Sequence, residues 1–185
     1  MRRIHVVGST GSGKTTLART LATRLNIAHI ELDALHWEPG WVEADMSVFR
    51  PRVAQALQGD AWVVDGNYNK VRDIIWSRAD TVIWLDYPLP FILWRLFWRT
   101  LRRTLTQEEL WNTNRESLRN AFFSRQSLFV WVFTSRRSLW ERYSQPFPPE
   151  YAHLRKVHLR SPRETAAWLG RLPAPQCVNH PSGSR

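Results

Sequence analysis

The stretch VGSTGSGKTT (residues 7–16) decides how the rest of this 185-residue chain is interpreted. It follows the β-branched run RIHVVG (residues 3–8) and precedes a segment, Lys14 to Leu25, with apolar residues at helical spacing. From Gly8 to Thr15 it fits the pattern G-x-x-x-x-G-K-[ST]. Glycines at these positions let the backbone N–H groups turn inward and surround phosphate oxygens at a helix N-terminus. The sequence therefore predicts a strand, a phosphate-binding loop and a helix.

Each residue type in this loop has a role in binding a nucleoside triphosphate. The lysine places a positive charge on the β- and γ-phosphates, and the following hydroxyl is a ligand for Mg²⁺. The predicted ligands are therefore ATP and Mg²⁺, and the predicted nucleotide-binding residues are Gly8, Ser9, Thr10, Gly11, Ser12, Gly13, Lys14, Thr15 and Thr16. The dinucleotide fingerprint G-x-G-x-x-G is absent in the right register, which disfavours a Rossmann oxidoreductase.

The rest of the chain alternates short apolar runs with helical stretches, which is typical of a parallel α/β sheet. Strands are predicted at residues 3–8, 28–32, 61–65, 81–86 and 153–160. An irregular segment follows the second strand, and helices are predicted over 14–25 and 48–57, after Lys70, in the region from 88 onward, and from Pro162 to about Gly170.

The net charge of +10 and the 26 basic residues, all but three of them arginine, suit an anionic ligand or nucleic acid. A preference for arginine codons together with a solvated surface explains the total equally well. The single cysteine, Cys177, excludes an internal disulfide. With no signal-peptide pattern and no uninterrupted apolar window of about 20 residues, we expect a soluble cytoplasmic protein with no membrane partner.

Three acids, Asp33, Asp65 and Asp86, follow predicted strands. Ligands of parallel sheets gather at the carboxyl ends of the strands. Asp65, at the end of an apolar run and before a glycine, is the best candidate to assist Thr15 on the metal side; the alternative is a turn residue.

At this point the sequence resembles a known group. The loop Gly8–Thr15, the stretch VVDGNY (63–68) and the later arginine-rich segment resemble nucleoside monophosphate kinases of the P-loop class. LDALHWEPGW (32–41) with WVVDGNY (62–68) resembles the adenylate-kinase-related bacterial proteins often labelled DNA topology modulation proteins.

The resemblance covers roughly residues 2–169 and implies a P-loop NTPase three-layer sandwich. It implies a five-stranded parallel sheet in the order 2-3-1-4-5, an acceptor-binding region after strand two and a small arginine-rich helical lid. We expect a kinase domain over 1–171, with the lid at about 104–115, and a disordered tail over 172–185.

One departure from the resemblance concerns the acceptor. Adenylate kinases have Asp-Gly-Phe-Pro-Arg where this chain has Asp65-Gly66-Asn67-Tyr68-Asn69, so the arginine that grips the acceptor phosphate does not carry over. Asp33 lies where related small-molecule kinases keep an acid for an acceptor hydroxyl; the alternative is a turn or cap residue. Further candidates around an acceptor are Trp37, Trp41, Arg50, Arg52 and Arg72. The acceptor stays open, with a nucleoside monophosphate favoured by the resemblance.

Arg95, Arg99, Arg102 and Arg103 follow helical spacing and share a face, beside an apolar stripe of Trp94, Trp98, Leu101 and Leu105. Arginines brought in by a closing lid stabilise the charge of a migrating phosphoryl group. The predicted catalytic residues are therefore Lys14, Asp33, Arg99, Arg103, Arg115 and Arg119. The alternative for the arginines is a basic surface.

Three functions compete. The favoured one is a kinase that transfers the γ-phosphoryl group of Mg-ATP to a nucleoside monophosphate or another small acceptor. The second is a nucleotide-regulated DNA-binding protein, for which the sequence shows no recognisable nucleic-acid motif. A switch-type NTPase is disfavoured because no glutamine or second acid is placed to orient water. The sequence gives no indication of oligomeric state.

Overall fold

The computed structural model describes residues 1–106 and 128–173, and its centre is a five-stranded parallel sheet. In chain order the strands are β1 (Arg3–Gly8), β2 (Ala28–Glu31), β3 (Trp37–Glu38), β4 (Val42–Glu43), β5 (Trp62–Asp65), β6 (Thr81–Leu85) and β7 (Arg155–Leu159). The helices are α1 (Lys14–Leu25), α2 (Leu32–His36), α3 (Met46–Ala56), α4 (Arg72–Trp76), α5 (Leu89–Thr106), α6 (Leu128–Ser144) and α7 (Pro162–Gly170).

The sheet runs β2-β5-β1-β6-β7, with every neighbouring pair parallel. Since β3 and β4 form a separate antiparallel hairpin, the sheet strands counted alone have the order 2-3-1-4-5. The expected fold class and strand order are confirmed. The strands β1, β5 and β6 are almost entirely buried, as expected for a parallel sheet with helices on both faces.

Alternate residues of the central strands feed two cores, one on each face of the sheet. On one face Ile4 and Val63 pack with Leu17 and Leu21 of α1. On the other face Val64 packs with apolar residues of α3 and α4. The parallel pairing of β1 with β5 places their carboxyl ends side by side, which is where the first loop and Asp65 lie.

The segment after strand two differs from its prediction as an irregular stretch. The strand ends at Glu31, and α2 and the β3–β4 hairpin follow. A five-residue helix and two-residue strands are too short to show a period in the sequence. The next helix begins at Met46, two residues earlier than predicted, because Asp45 caps it by accepting a hydrogen bond from the Ser47 backbone N–H at 2.7 Å.

The apolar stripe predicted on α5 is not the face that packs against the sheet. Ile92 and Leu96 are buried there, whereas Trp94 is 62% and Trp98 53% exposed. None of the described helices is long and apolar enough to cross a membrane. Arg115, Arg119, most of the predicted lid and the tail from 174 onward lie outside the described residues.

Candidate active site

The loop between β1 and α1 has a backbone that only glycine adopts without strain. Gly8 has φ +153°, and a Cβ there would lie 2.6 Å from the backbone oxygen of Leu85. Gly13 has φ +95° and precedes α1, whose N-terminus has no side-chain cap and no acidic residue in its first turn. The positive end of a twelve-residue helix is thus left for an anion.

Lys14 reaches back over this loop, its Nζ donating to the backbone oxygen of Ser9 at 3.2 Å. Burial lowers the pKa of Lys14 and the positive charge of Arg99 acts in the same direction, while Asp33 and Asp65 oppose the shift. Lys14 therefore interacts with two carboxylates and a second cation beside the loop. An anion bound there would favour the charged amine.

Thr15 and Asp65 face each other across the end of β5. The Thr15 hydroxyl donates to Asp65 Oδ2 at 2.6 Å, and His29 Nε2 lies 2.9 Å from Asp65 Oδ1. The Asp65 side chain is only 5% exposed. A hydroxyl and a carboxylate beside a phosphate-binding loop fit Mg²⁺, which takes few protein oxygens and completes its shell with phosphates and water. Within 1–106 and 128–173 no three His, Cys, Asp or Glu side chains are grouped to hold a metal on their own.

The residues after Asp65 are tied to the loop and to the core. The Asn67 amide accepts from the Gly8 backbone N–H at 3.2 Å and donates to the Gly8 carbonyl at 2.6 Å. Buried His5 lies 2.9 Å from the Gly66 carbonyl through Nε2, and its Nδ1 accepts from the Trp76 indole at 3.0 Å. Burial lowers the pKa of His5 to about 4, so the ring is neutral at neutral pH.

Asp33 lies at the start of α2 and accepts a hydrogen bond from the Tyr68 hydroxyl at 2.6 Å. Burial raises the pKa of Asp33, while this hydrogen bond and the charge of Lys14 oppose the rise. Burial and the nearby Asp33 raise the pKa of Tyr68, so the phenol stays protonated and donates. The Tyr68 ring packs against His36 and Phe49, at centroid distances of 4.5 and 5.2 Å.

The three arginines suggested for an acceptor phosphate are engaged elsewhere. Arg50 pairs with Asp73 at 2.6 Å, and Arg52 pairs with Glu38 at 2.6 Å. Arg72 lies over the ring of Trp76, 4.9 Å from its centroid. Trp37 and Trp41 contact each other edge to face on the β3–β4 hairpin, at 5.6 Å between centroids.

The arginines of α5 fall into two groups. The Arg95 guanidinium lies over the loop, with both terminal nitrogens 3.2 Å from where a Cβ of Gly13 would be. Further along, Arg99, Arg102 and Arg103 line one cavity of about 360 Å³ together with Trp98. Arg99 also acts electrostatically on Lys14, which places this cavity beside the loop.

Asp86 is the third acid that follows a strand of the sheet. It lies 3.1 Å from His158 Nε2 and 3.8 Å from the Arg136 guanidinium. This carboxylate pairs with side chains of β7 and α6.

Three residues of this site were not predicted, namely His29, Tyr68 and Asn67, and Arg95 was placed on the arginine face of its helix without a role at the loop. His29 carried a signal in the sequence. Side chains alternate along a strand, so once β2 pairs with β5, His29 lies on the same face of the sheet as Asp65. The roles of Tyr68 and Asn67 depend on how the turn after β5 folds, which no local pattern gives.

Comparisons with known proteins agree with this architecture. Residues 4–86 match the model of the family described as ATPase family associated with various cellular activities (AAA). No curated protein matches the chain.

Several solved structures share the fold. A sugar kinase from a Janibacter species is 18% identical with a TM-score of 0.52, and the match covers 92% of this chain and 93% of that one. A gluconokinase from Sinorhizobium meliloti is 20% identical with a TM-score of 0.51, covering 92% of each chain. A shikimate kinase from Bacteroides thetaiotaomicron is 14% identical with a TM-score of 0.51, covering 92% and 95%.

The chain therefore shares the α/β fold of these solved kinase structures. The matched residues 4–86 include both the phosphate loop and Asp65.

Proposed function

We propose that this protein is an ATP-dependent phosphotransferase that moves the γ-phosphoryl group of Mg-ATP to a small acceptor. The observation that carries the proposal is the convergence of Lys14, the Thr15–Asp65 pair and Asp33 at the end of one loop. ATP supplies the phosphoryl group, and the Mg²⁺ that accompanies it neutralises part of the charge on the phosphates. Lys14 and the N-terminus of α1 would bind the β- and γ-phosphates, with Thr15 and Asp65 on the metal side.

The acceptor best supported by the geometry is a hydroxyl compound. Burial raises the pKa of Asp33 while the nearby charge of Lys14 opposes the rise, and a buried carboxylate at this place suits a base for the proton of a hydroxyl group. The acceptor oxygen would attack the γ-phosphorus, its proton would pass to Asp33, and the bond to the β-phosphate oxygen would break to release ADP. Arg99 and Arg103 would stabilise the charge on the migrating group.

A nucleoside monophosphate, the acceptor that the resemblance favours, finds less support here. Its phosphate would meet the negative charge of Asp33, and Arg50 and Arg52 are already paired with Asp73 and Glu38. The like charges disfavour a phosphate beside Asp33 unless these pairs break. The acceptor test therefore includes both classes.

The test measures transfer of the label from γ-labelled Mg-ATP to each compound of a panel: sugars, sugar acids, shikimate, nucleosides and nucleoside monophosphates. We expect transfer to a hydroxyl compound, and Asp33→Asn to lower kcat by roughly 100-fold or more, as for the loss of a general base. Asp73→Asn removes a surface carboxylate and is the control, with little change in kcat. Transfer to no compound in the panel, or an Asp33→Asn enzyme as fast as the control, contradicts the proposal.

A second candidate is binding of single-stranded nucleic acid, favoured by the exposed surface of α5. Trp94 and Trp98 are each more than half exposed, and Arg102 is exposed beside them. Aromatic rings and arginines are what such proteins use to stack bases and hold phosphates. Tight binding at physiological salt that weakens steeply as salt rises, without any phosphoryl transfer, would favour this function.

A further inference from the structure

The Asp65 carboxylate is held at both of its oxygens by side chains from different elements. Thr15 of α1 donates to Oδ2 at 2.6 Å, and the His29 ring on β2 lies 2.9 Å from Oδ1 through Nε2. The side chains of Asp65 and His29 are 5% and 16% exposed. Since an ionised carboxylate only accepts hydrogen bonds, this contact requires the proton on Nε2 of the histidine.

The sheet register explains why His29 can reach this carboxylate. In the parallel pairing of β2 with β5, His29 lies beside Val63, and Glu31 lies beside Asp65. Because side chains alternate along a strand, all four residues point to the face covered by α1. His29 therefore lies one diagonal step from Asp65 on that face.

The other nitrogen of the imidazole faces Glu31. His29 Nδ1 lies 3.9 Å from Glu31 Oε1, and that oxygen accepts from the Arg19 guanidinium at 2.5 Å. The ring therefore lies between the two carboxylates, and Nε2 is the nitrogen within hydrogen-bonding distance of one of them.

We propose that His29 is a positioning residue for the metal side of the nucleotide site, an inference that rests on the proposed function. Its N–H fixes Asp65 Oδ1, which prevents rotation of the carboxylate and keeps Oδ2 turned toward Thr15. Partners of this kind, outside the groups that face a metal, orient those groups and typically change metal affinity or activity by 10- to 100-fold. A histidine that only joined β2 to β5 would affect stability and nothing else.

The experiment measures binding rather than turnover, because its result must not depend on the acceptor. Calorimetry compares a non-hydrolysable ATP analogue in Mg²⁺ with the same analogue in EDTA. We expect His29→Phe to weaken binding in Mg²⁺ by about 10-fold or more, and to leave binding in EDTA unchanged. His29→Gln keeps an N–H donor of similar reach and is expected to restore most of the Mg²⁺-dependent affinity.

The matched control is His153→Phe, since His153 contacts the Trp76 carbonyl at 3.1 Å, away from the loop. It is expected to change neither affinity. His29→Leu supplies a second donor-free variant if the phenylalanine variant does not fold.

Two results overturn the positioning role. One is a donor-free variant that binds as wild type does or loses affinity equally with and without Mg²⁺; the other is a folded His29→Gln that is as weak as His29→Phe. A wild-type protein that binds no nucleotide contradicts the proposed function as well, so the two failures can be told apart.

Discussion

The substitution Tyr68→Phe tests the environment of Asp33 most sharply. It removes the hydroxyl that donates to Asp33 Oδ1 at 2.6 Å and keeps the ring that packs on His36 and Phe49. A hydrogen bond to a charged group is worth about 1.5–3 kcal/mol. This bond opposes the rise that burial causes in the pKa of Asp33, so its loss raises that pKa further.

Loss of the Tyr68 hydroxyl should move the acid limb of the activity profile to higher pH. Asp33 must be ionised to accept a proton, so activity falls as the pH drops through its pKa, and a higher pKa moves this acid limb to higher pH. On the limb, kcat/KM should fall by roughly 10- to 150-fold, the equivalent of about 1.5–3 kcal/mol. On the alkaline plateau the loss should be smaller.

The assay is a pH profile of kcat/KM with the acceptor found in the transfer panel. Tyr87→Phe is the matched control, because it deletes a buried hydroxyl that lies 2.6 Å from Thr165 Oγ1, away from Asp33. The control should lose stability and keep the wild-type acid limb. If the acid limb of Tyr68→Phe coincides with that of the control, the reasoning about Asp33 is refuted.

Three further predictions concern the framework of the site. Gly8→Ala should lower the free energy of unfolding by about 2–5 kcal/mol, because Gly8 has a positive φ and an added Cβ would lie 2.6 Å from a β6 carbonyl. Gly40→Ala is the control and should cost only about 1–2 kcal/mol, because Gly40 has φ +77° but open space around it. Equal losses of the two variants in urea unfolding would show that crowding is not the cause. Asn67→Ala removes two hydrogen bonds to Gly8, so it should destabilise the protein by about 1–3 kcal/mol and weaken nucleotide binding in the calorimetric titration described above. Unchanged affinity would show that these hydrogen bonds do not fix the loop for binding. Burial lowers the pKa of His5 from 6.5 to about 4, so the unfolded chain binds this proton at higher pH than the folded chain does, and stability should fall by about 3 kcal/mol as the pH drops from 6.5 to 4. His5→Gln should reduce this loss of stability, measured by urea unfolding at pH 7 and pH 4.5. An unchanged loss would assign it to other groups.

The elements that carry local start and stop signals could be predicted closely from the sequence. The limits of β1 and α1 agree with the prediction because the glycine loop fixes where the strand ends and the helix begins. The limits of α7 also agree, because Ser161 caps the helix and Pro162 begins it. The strand order came from the resemblance rather than from periodicity, since local patterns do not say which strands are neighbours.

The site could be predicted only where one motif contained it. Lys14 and Thr15 follow from the loop, and Asp65 follows from its place at a strand end. Tyr68 reaches Asp33 from 35 residues away, and His29 reaches Asp65 from 36 residues away, so both contacts depend on tertiary structure. The ion pairs of Arg50 and Arg52 could not be predicted either, because nothing local shows that acidic partners lie 23 and 14 residues away.

The central claim is that the loop Gly8–Thr15 binds a nucleoside triphosphate with Lys14 as its cation. Calorimetry with Mg²⁺ and a non-hydrolysable ATP analogue, on wild type and on Lys14→Ala, tests it most directly. Lys156→Ala is the control, since that amine donates to the Tyr143 and Gln145 carbonyls instead. We expect wild type and the control to bind the analogue equally well, and Lys14→Ala to bind it at least about 10-fold more weakly. A wild-type protein that binds no nucleotide, or a Lys14→Ala variant that binds it equally well, contradicts the claim.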